Sequence, residues 1–396
     1  MNKNLFIVLF LLSTFAYSKT NNYRNTMLVG TDSLEIDTIK NTKARFKYFE
    51  IKTHAGVHLY SGKSLNAALE QGYGSLEARV GWYPKSPENW SQYYGNPSYG
   101  VGFYSGLIGD PEILGKPNAL YGFINFPLSK PGKRTGIEIS PSFGLTYNLV
   151  PFNEIENPNN DAIGSKIAVY FNLHFGAAYQ MTREMDLIYG LDISHFSNGR
   201  SNVPNHGLNM FGLNLGLRYN YNKEYQWSSI NAFEADPLPA RIKVASKSPN
   251  MALKTNAINL YTAFGIVQKD EDKGTSKHYS TFSVVGEYQY KFSNMHGFTA
   301  GLDYFRDESL SPKYPSSERN LLGVHAGYDF MFWKMAIRMQ AGTYLSDDRG
   351  KGAFFLRPAL QYEISKKIYV QVGLKTLAGA AADWIEFGVG FKPFNW

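Results

Sequence analysis

The stretch Ile167-Ala168-Val169-Tyr170-Phe171-Asn172-Leu173-His174-Phe175 places apolar residues at every odd position and mostly small or polar ones between them. A period of two is that of a strand whose faces meet different surroundings; a helix would show apolar recurrence at three and four. The same pattern runs through the chain. Ile137, Ile139, Phe143, Leu145 and Tyr147 alternate with Glu138, Ser140, Ser142 and Thr146. Met335, Ile337 and Met339 alternate with Lys334, Ala336, Arg338 and Gln340, and Ile368, Val370, Val372 and Leu374 with Tyr369, Gln371, Gly373 and Lys375.

Between residues 43 and 392 there is room for about 14–16 such segments, each about 9 to 14 residues long, which suits a tilted strand crossing a bilayer. Apolar-out, polar-in alternation rich in aromatics predicts an all-β, antiparallel transmembrane β-barrel. A soluble sandwich also alternates, but strands so many and so long are unusual for it, and no blade-like repeat suggests a propeller. The chain ends in strand, with Phe387, Val389, Phe391, Phe394 and Trp396, similar to the aromatic C-terminal signal of bacterial outer-membrane proteins. With the N-terminus periplasmic, connections 180–184, 293–295, 332–333 and 365–366 are short inner turns, and 61–74, 107–118, 149–165, 269–278 and 306–318 are longer outer loops. Segments 84–98 and 223–255 break this rule, and the second is expected to be a long insertion.

Composition narrows the chemistry. Of 396 residues, 28 are Tyr, 27 Phe and 6 Trp, too aromatic for a disordered chain, and none is Cys, which excludes thiol nucleophiles, disulfides and Cys-ligated metals. The net charge of +7 is scattered rather than gathered, which suits an anionic lipid surface and gives no block for nucleic acid. Lys3, the apolar run Leu5 to Leu12 and Ala16-Tyr17-Ser18 read as a signal peptide over 1–18. Residues 19–42 then form an N-terminal periplasmic segment and 43–396 the barrel.

Chemistry concentrates in Asp192-Ile193-Ser194-His195-Phe196-Ser197-Asn198-Gly199 and Pro204-Asn205-His206-Gly207-Leu208-Asn209. On a strand over 185–198, His195 and Ser197 continue the lipid-facing series Leu187, Tyr189, Leu191 and Ile193. Their Cα atoms should lie roughly 7 Å apart on one side, within reach for a nucleophile and its base. Asn209 opens the next strand, 209–222, in the same phase, where a cross-strand neighbour can orient the imidazole. Polar groups on a lipid-facing wall suit a substrate that is itself a lipid of the outer leaflet.

These two segments resemble the lipid A 3-O-deacylase (PagL-type) family of outer-membrane barrels, which carries His-x-Ser-Asn, then Pro-Asn-x-Gly, then an acid two residues after the glycine. The matching positions are His195-Phe196-Ser197-Asn198 and Pro204-Asn205-His206-Gly207. The resemblance implies a metal-free, cofactor-free serine esterase of the bacterial outer membrane that removes an ester-linked acyl chain from lipid A, its site facing the outer leaflet. Ser197 would be nucleophile and His195 base; Asn198, Asn205 or backbone amides near Gly199 would hold the oxyanion. Arg200 is a weaker candidate for a lipid A phosphate contact. Partners are then lipid A or lipopolysaccharide and the membrane, no nucleic acid, with a homodimer an open option.

The chain departs from the family pattern twice. Asn209 stands where the acid is expected, and the chain has material for about twice the eight strands of small family members. The hairpin is therefore expected within a wider barrel. The rival reading is a non-catalytic porin with a vestigial hairpin, its aqueous lumen lined by Lys334, Arg338 and Lys375 for anion passage.

Overall fold

The computed structural model describes residues 47–60, 62, 64–83, 91, 93–129, 134–182, 184–221, 254–379 and 381–396. The signal peptide, the 19–42 segment and most of the 223–255 insertion lie outside these residues. Among the described residues sixteen antiparallel strands follow in chain order: β1 (Lys47–His58), β2 (Tyr73–Trp82), β3 (Ser98–Leu107), β4 (Gly115–Pro127), β5 (Thr135–Leu149), β6 (Ala168–Gln180), β7 (Met185–Ser197), β8 (Leu208–Asn220), β9 (Thr255–Val267), β10 (Tyr279–Lys291), β11 (His296–Asp307), β12 (Asn320–Phe332), β13 (Met335–Tyr344), β14 (Phe354–Glu363), β15 (Ile368–Leu377) and β16 (Ala381–Asn395).

The antiparallel barrel reading holds, but the strands do not close into one wide barrel. β8 pairs back onto β1, with Asn220 opposite Tyr48, and β16 pairs onto β9, with Phe387 opposite Phe264. The result is two closed eight-stranded barrels. An even strand number returns the chain to the rim where it entered, so the long connection after β8 leads from one barrel to the next rather than interrupting a single wall. The first barrel starts and ends at the rim that also carries the short turns 181–184, 292–295 and 333–334. The long loops, 150–167, 198–207, 268–278 and 308–319 among them, gather at the opposite rim.

Alternation sorts the side chains as expected. Leu120, Leu145, Leu213, Leu302 and Phe387 point out and are exposed. Glu50, Lys52, Glu77, Arg79, Asp192 and Arg218 point into the first barrel and are buried. Such charges are tolerable only when paired. Arg218 donates to Glu50 Oε2 at 2.7 Å and Glu138 Oε1 at 2.8 Å. His54 bridges Asp192 and Glu77, each at 2.8 Å. In the second barrel Arg338 joins Glu287 at 2.5 Å and Asp329 at 2.9 Å, while His325 joins Asp303 at 2.8 Å. Towards the long-loop rim, the tilted rings of Tyr104, Tyr170 and Phe196 pack inside the first barrel, and Phe305 meets Phe355 and Trp384 edge-on inside the second.

Among the described residues the aqueous lumen of the rival reading finds no support. A barrel of eight strands is only wide enough for its own side chains to fill. Arg338 is buried in ion pairs, and Lys375 meets Asp383 at 2.7 Å. Lys334 does not line an interior: it sits exposed in the β12–β13 turn, one step beyond where the alternation begins. The barrels also touch each other. Tyr94 and Phe126 of the first pack edge-on against Phe330 of the second at the short-turn rim.

Two outcomes follow. Purified protein in planar bilayers should give no steady open-channel current. Arg338→Met should remove the guanidinium shared by the buried Glu287 and Asp329 carboxylates and cost about 3–5 kcal/mol, read as earlier urea unfolding of the detergent-solubilised protein.

Candidate active site

β7 delivers His195 and Ser197 to the outer face of the first barrel at the long-loop rim, both half-buried, with Phe196 between them turned inward and wholly buried. The register sets Phe171 and Asn209 on either side of His195, and Val169 beside Ser197. His195 and Asn209 meet as the spacing predicts: Nδ1 lies 2.7 Å from Asn209 Oδ1. A carbonyl oxygen can only accept, so it fixes the proton on Nδ1 and leaves Nε2 as the basic nitrogen.

Ser197 is held differently. Its Oγ lies 2.9 Å from Asn205 Nδ2 and 3.2 Å from Asn205 Oδ1, and accepts from Gly199 N at 3.2 Å. Asn205 Oδ1 also accepts from Asn198 N at 3.1 Å. Among the described residues no hydrogen bond joins Ser197 to His195. The two side chains share a face, and Gly207 lies against both.

The other expected residues separate into two groups. Gly199 and Asn205 present donors to Ser197 Oγ. The Asn198 side chain instead ties the loop to itself and to the 150–167 loop: Nδ2 donates to Asn202 O at 2.9 Å and Ser165 Oγ at 3.1 Å, and Oδ1 accepts from Arg200 N at 2.9 Å. Arg200 reaches Asp270 of the second barrel at 3.4 Å. Gly199 and Arg200 both have positive φ, 62° and 69°, which turns the chain sharply after the strand.

Sequence reasoning did not find the second-barrel residues packed on this loop, Gln268 and Ile385, because nothing local marks a contact between distant strands. It also missed a repeat at hairpin scale. Gly190-Leu191-Asp192 on β7 recurs as Gly301-Leu302-Asp303 on β11, and Asn209, Gly212 and Gly216 recur at the same separation as Asn320, Gly323 and Gly327. Asn214 donates to Asp192 at 2.7 Å, and its counterpart His325 meets Asp303. Arg306 and Glu308 stand in the second hairpin where His195 and Ser197 stand in the first. Arg306 and Asn320 are cross-strand partners, as His195 and Asn209 are. Hydrogen bonds from Arg319 and then Arg306 hold the Glu308 carboxyl below its ordinary range. The second hairpin keeps the frame and lacks the histidine and serine.

Gly207 has φ 71°, and a Cβ there would lie 3.0 Å from His195 Cε1 and 3.1 Å from Phe196 O. Gly207→Ala should push the ring off Asn209 and add about 1–3 kcal/mol of backbone strain. The expected result is loss of the His195–Asn209 hydrogen bond with both barrels still closed, measured by the His195 imidazole NMR signals beside circular dichroism.

The comparisons with known proteins divide at the same place as the barrels. Residues 76–218 match the family described as "Lipid A 3-O-deacylase (PagL)", and residues 256–396 match that described as "Acyloxyacyl hydrolase, C-terminal domain". No curated protein matches the chain. Among solved structures, Neisserial surface protein A is 11% identical, covering 44% of this chain and 96% of its own, at a TM-score of 0.30. The outer membrane enzyme PagL is 12% identical, covering 42% and 97%, at 0.29. The N-terminal β-barrel domain of Pseudomonas aeruginosa OprF is 14% identical, covering 44% and 100%, at 0.27. The two family matches span one barrel each and together most of the sequence: the chain belongs to the lipid A 3-O-deacylase (PagL) and acyloxyacyl hydrolase family of outer-membrane β-barrels.

Proposed function

We propose that the chain is a serine esterase that releases an ester-linked acyl chain from lipid A in the outer leaflet, with Ser197 as nucleophile, His195 as general base and Asn209 as the group that orients the ring. The long-loop rim is taken as the outer side. The observation that carries this is the 2.7 Å bond from His195 Nδ1 to Asn209 Oδ1, beside Ser197, on the lipid-facing wall.

His195 Nε2 takes the Ser197 proton as Oγ attacks the ester carbonyl carbon. The tetrahedral oxyanion meets donors already aimed at the nucleophile, the Gly199 amide and Asn205 Nδ2. Such a donor is worth about 2.7–4 kcal/mol. Collapse breaks the C–O bond, and His195 returns the proton to the leaving sugar alkoxide. Water, activated by the same nitrogen, then cleaves the acyl-serine ester. Asn209 fixes the tautomer but cannot offset the imidazolium charge as a carboxylate would. In a serine protease, Asn in place of the triad acid costs about 10⁴ in rate, so slow turnover is expected. Arg200, the weaker candidate for a lipid A phosphate, has 23% of its side chain exposed beside Asp270. The filled interiors of both barrels favour this reading over the pore.

Mass spectrometry of lipid A from cells making the wild-type chain should show one acyl chain lost, and none lost with Ser197→Ala or His195→Ala at equal outer-membrane levels. Unchanged lipid A in all three, across several lipid A types, would sink the proposal. Asn209→Glu should raise kcat at least about tenfold by restoring the charge, measured on purified protein in mixed micelles.

A further inference from the structure

The loop that carries the oxyanion donors is braced from outside its own barrel. Gln268, the first residue after β9, is almost wholly buried against it. Its backbone N donates to Arg200 O at 3.0 Å, and its Oε1 accepts from Val203 N at 2.8 Å. Its Nε2 donates to Asp272 O and Thr275 O, both at 2.9 Å, which ties it to its own loop. These partners fix the amide orientation: flipped, it would set an NH2 against an N–H and an oxygen against two carbonyls. On the other side of the turn, Ile385 of β16 fills the space beside Gly199, where a Cβ would come within 2.2 Å of its Cγ1. The second barrel thus grips the turn at Gly199, Arg200 and Val203, next to the amide that points at Ser197 Oγ.

The repeated hairpin supplies a reason. In β11–β12 the corresponding loop is pinned from within: Arg306 donates to Ser316 O and Ser316 Oγ, each at 2.7 Å, and Arg319 to Tyr314 O at 3.0 Å. The equivalent positions in β7–β8 are His195 and Leu208. A position given to the base cannot also supply a guanidinium brace; the loop of the first barrel bonds Asp161, Ala162 and Ser165 of its own barrel, and Gln268 of the neighbour adds the hold at Arg200 and Val203.

We propose that Gln268 is a positioning residue for the reaction, clamping Arg200 O and Val203 N so that the Gly199 amide stays aimed at the nucleophile, and that the second barrel is therefore part of a single active site. This rests on the deacylase reading. The test uses the full chain in mixed micelles with lipid A, and follows both acyl release and labelling of Ser197 by an alkyl fluorophosphonate. Gln268→Met should lower kcat and labelling rate about tenfold or more, with KM within about twofold. Ile385→Ala should lower both by a smaller factor. Leu302→Ala, on the lipid-facing wall of the second barrel, should change neither.

A folded Gln268→Met protein with wild-type kcat and labelling would overturn the inference and leave the deacylase reading intact, as would a rise in KM alone. If Gln268→Met does not fold, Ile385→Ala decides, and wild-type rates there overturn the inference. A wild-type chain that neither releases acyl chains nor reacts with the phosphonate would remove the deacylase reading and this inference with it.

Discussion

In hydrocarbon an unpaired backbone N–H or C=O has no water to turn to, so a spanning sheet must close on itself. In this chain closure comes after eight strands, twice, at β8–β1 and β16–β9. A barrel so narrow has no room for a channel, and its inward side chains must satisfy one another. That is why Glu50, Glu138 and Arg218, or Glu287, Asp329 and Arg338, occur as interlocked sets. With the interior committed to charge pairing, the outer wall and the rim remain for chemistry, and His195 and Ser197 occupy both.

Much of this was legible from alternation. A period of two states which face a residue takes, so the outward placement of His195, Ser197 and Asn209 and the inward placement of Asp192 and Arg338 could be read directly. Loop lengths separated the two rims. Alternation says nothing about which strand a given strand pairs with, and one barrel of sixteen strands and two of eight give the same pattern. Lys334 shows a related limit, since a turn residue extends the alternation on paper and leaves it in space. Asn198 and Asn205 are alike in composition and differ in where their amides point, which depends on Ser165 and the loop's own turn.

The hairpin repeat shows what the frame needs and what the chemistry adds. Asp192 and Asp303, each bonded by a side chain from the next strand, belong to the interior of their barrels and are kept in both. Asn209 and Asn320 also persist, each opposite the residue at the base position. The rim positions exchange character, from His195 and Ser197 to Arg306 and Glu308. The first pair can move a proton; the second makes a self-satisfied ion pair with Arg319. The same scaffold thus holds a histidine–serine rim in one barrel and an ion-paired rim in the other.

The outward direction of Ser197 and His195 also determines how a reactant would arrive. A side chain on the wall of a barrel is approached sideways, within the leaflet, and the search is two-dimensional. The quantity that fills such a site is the fraction of neighbouring lipids that are substrate, not their amount per volume of water. Every other lipid along that wall competes for the position, and in micelles added detergent dilutes the reactant even when its total concentration is constant.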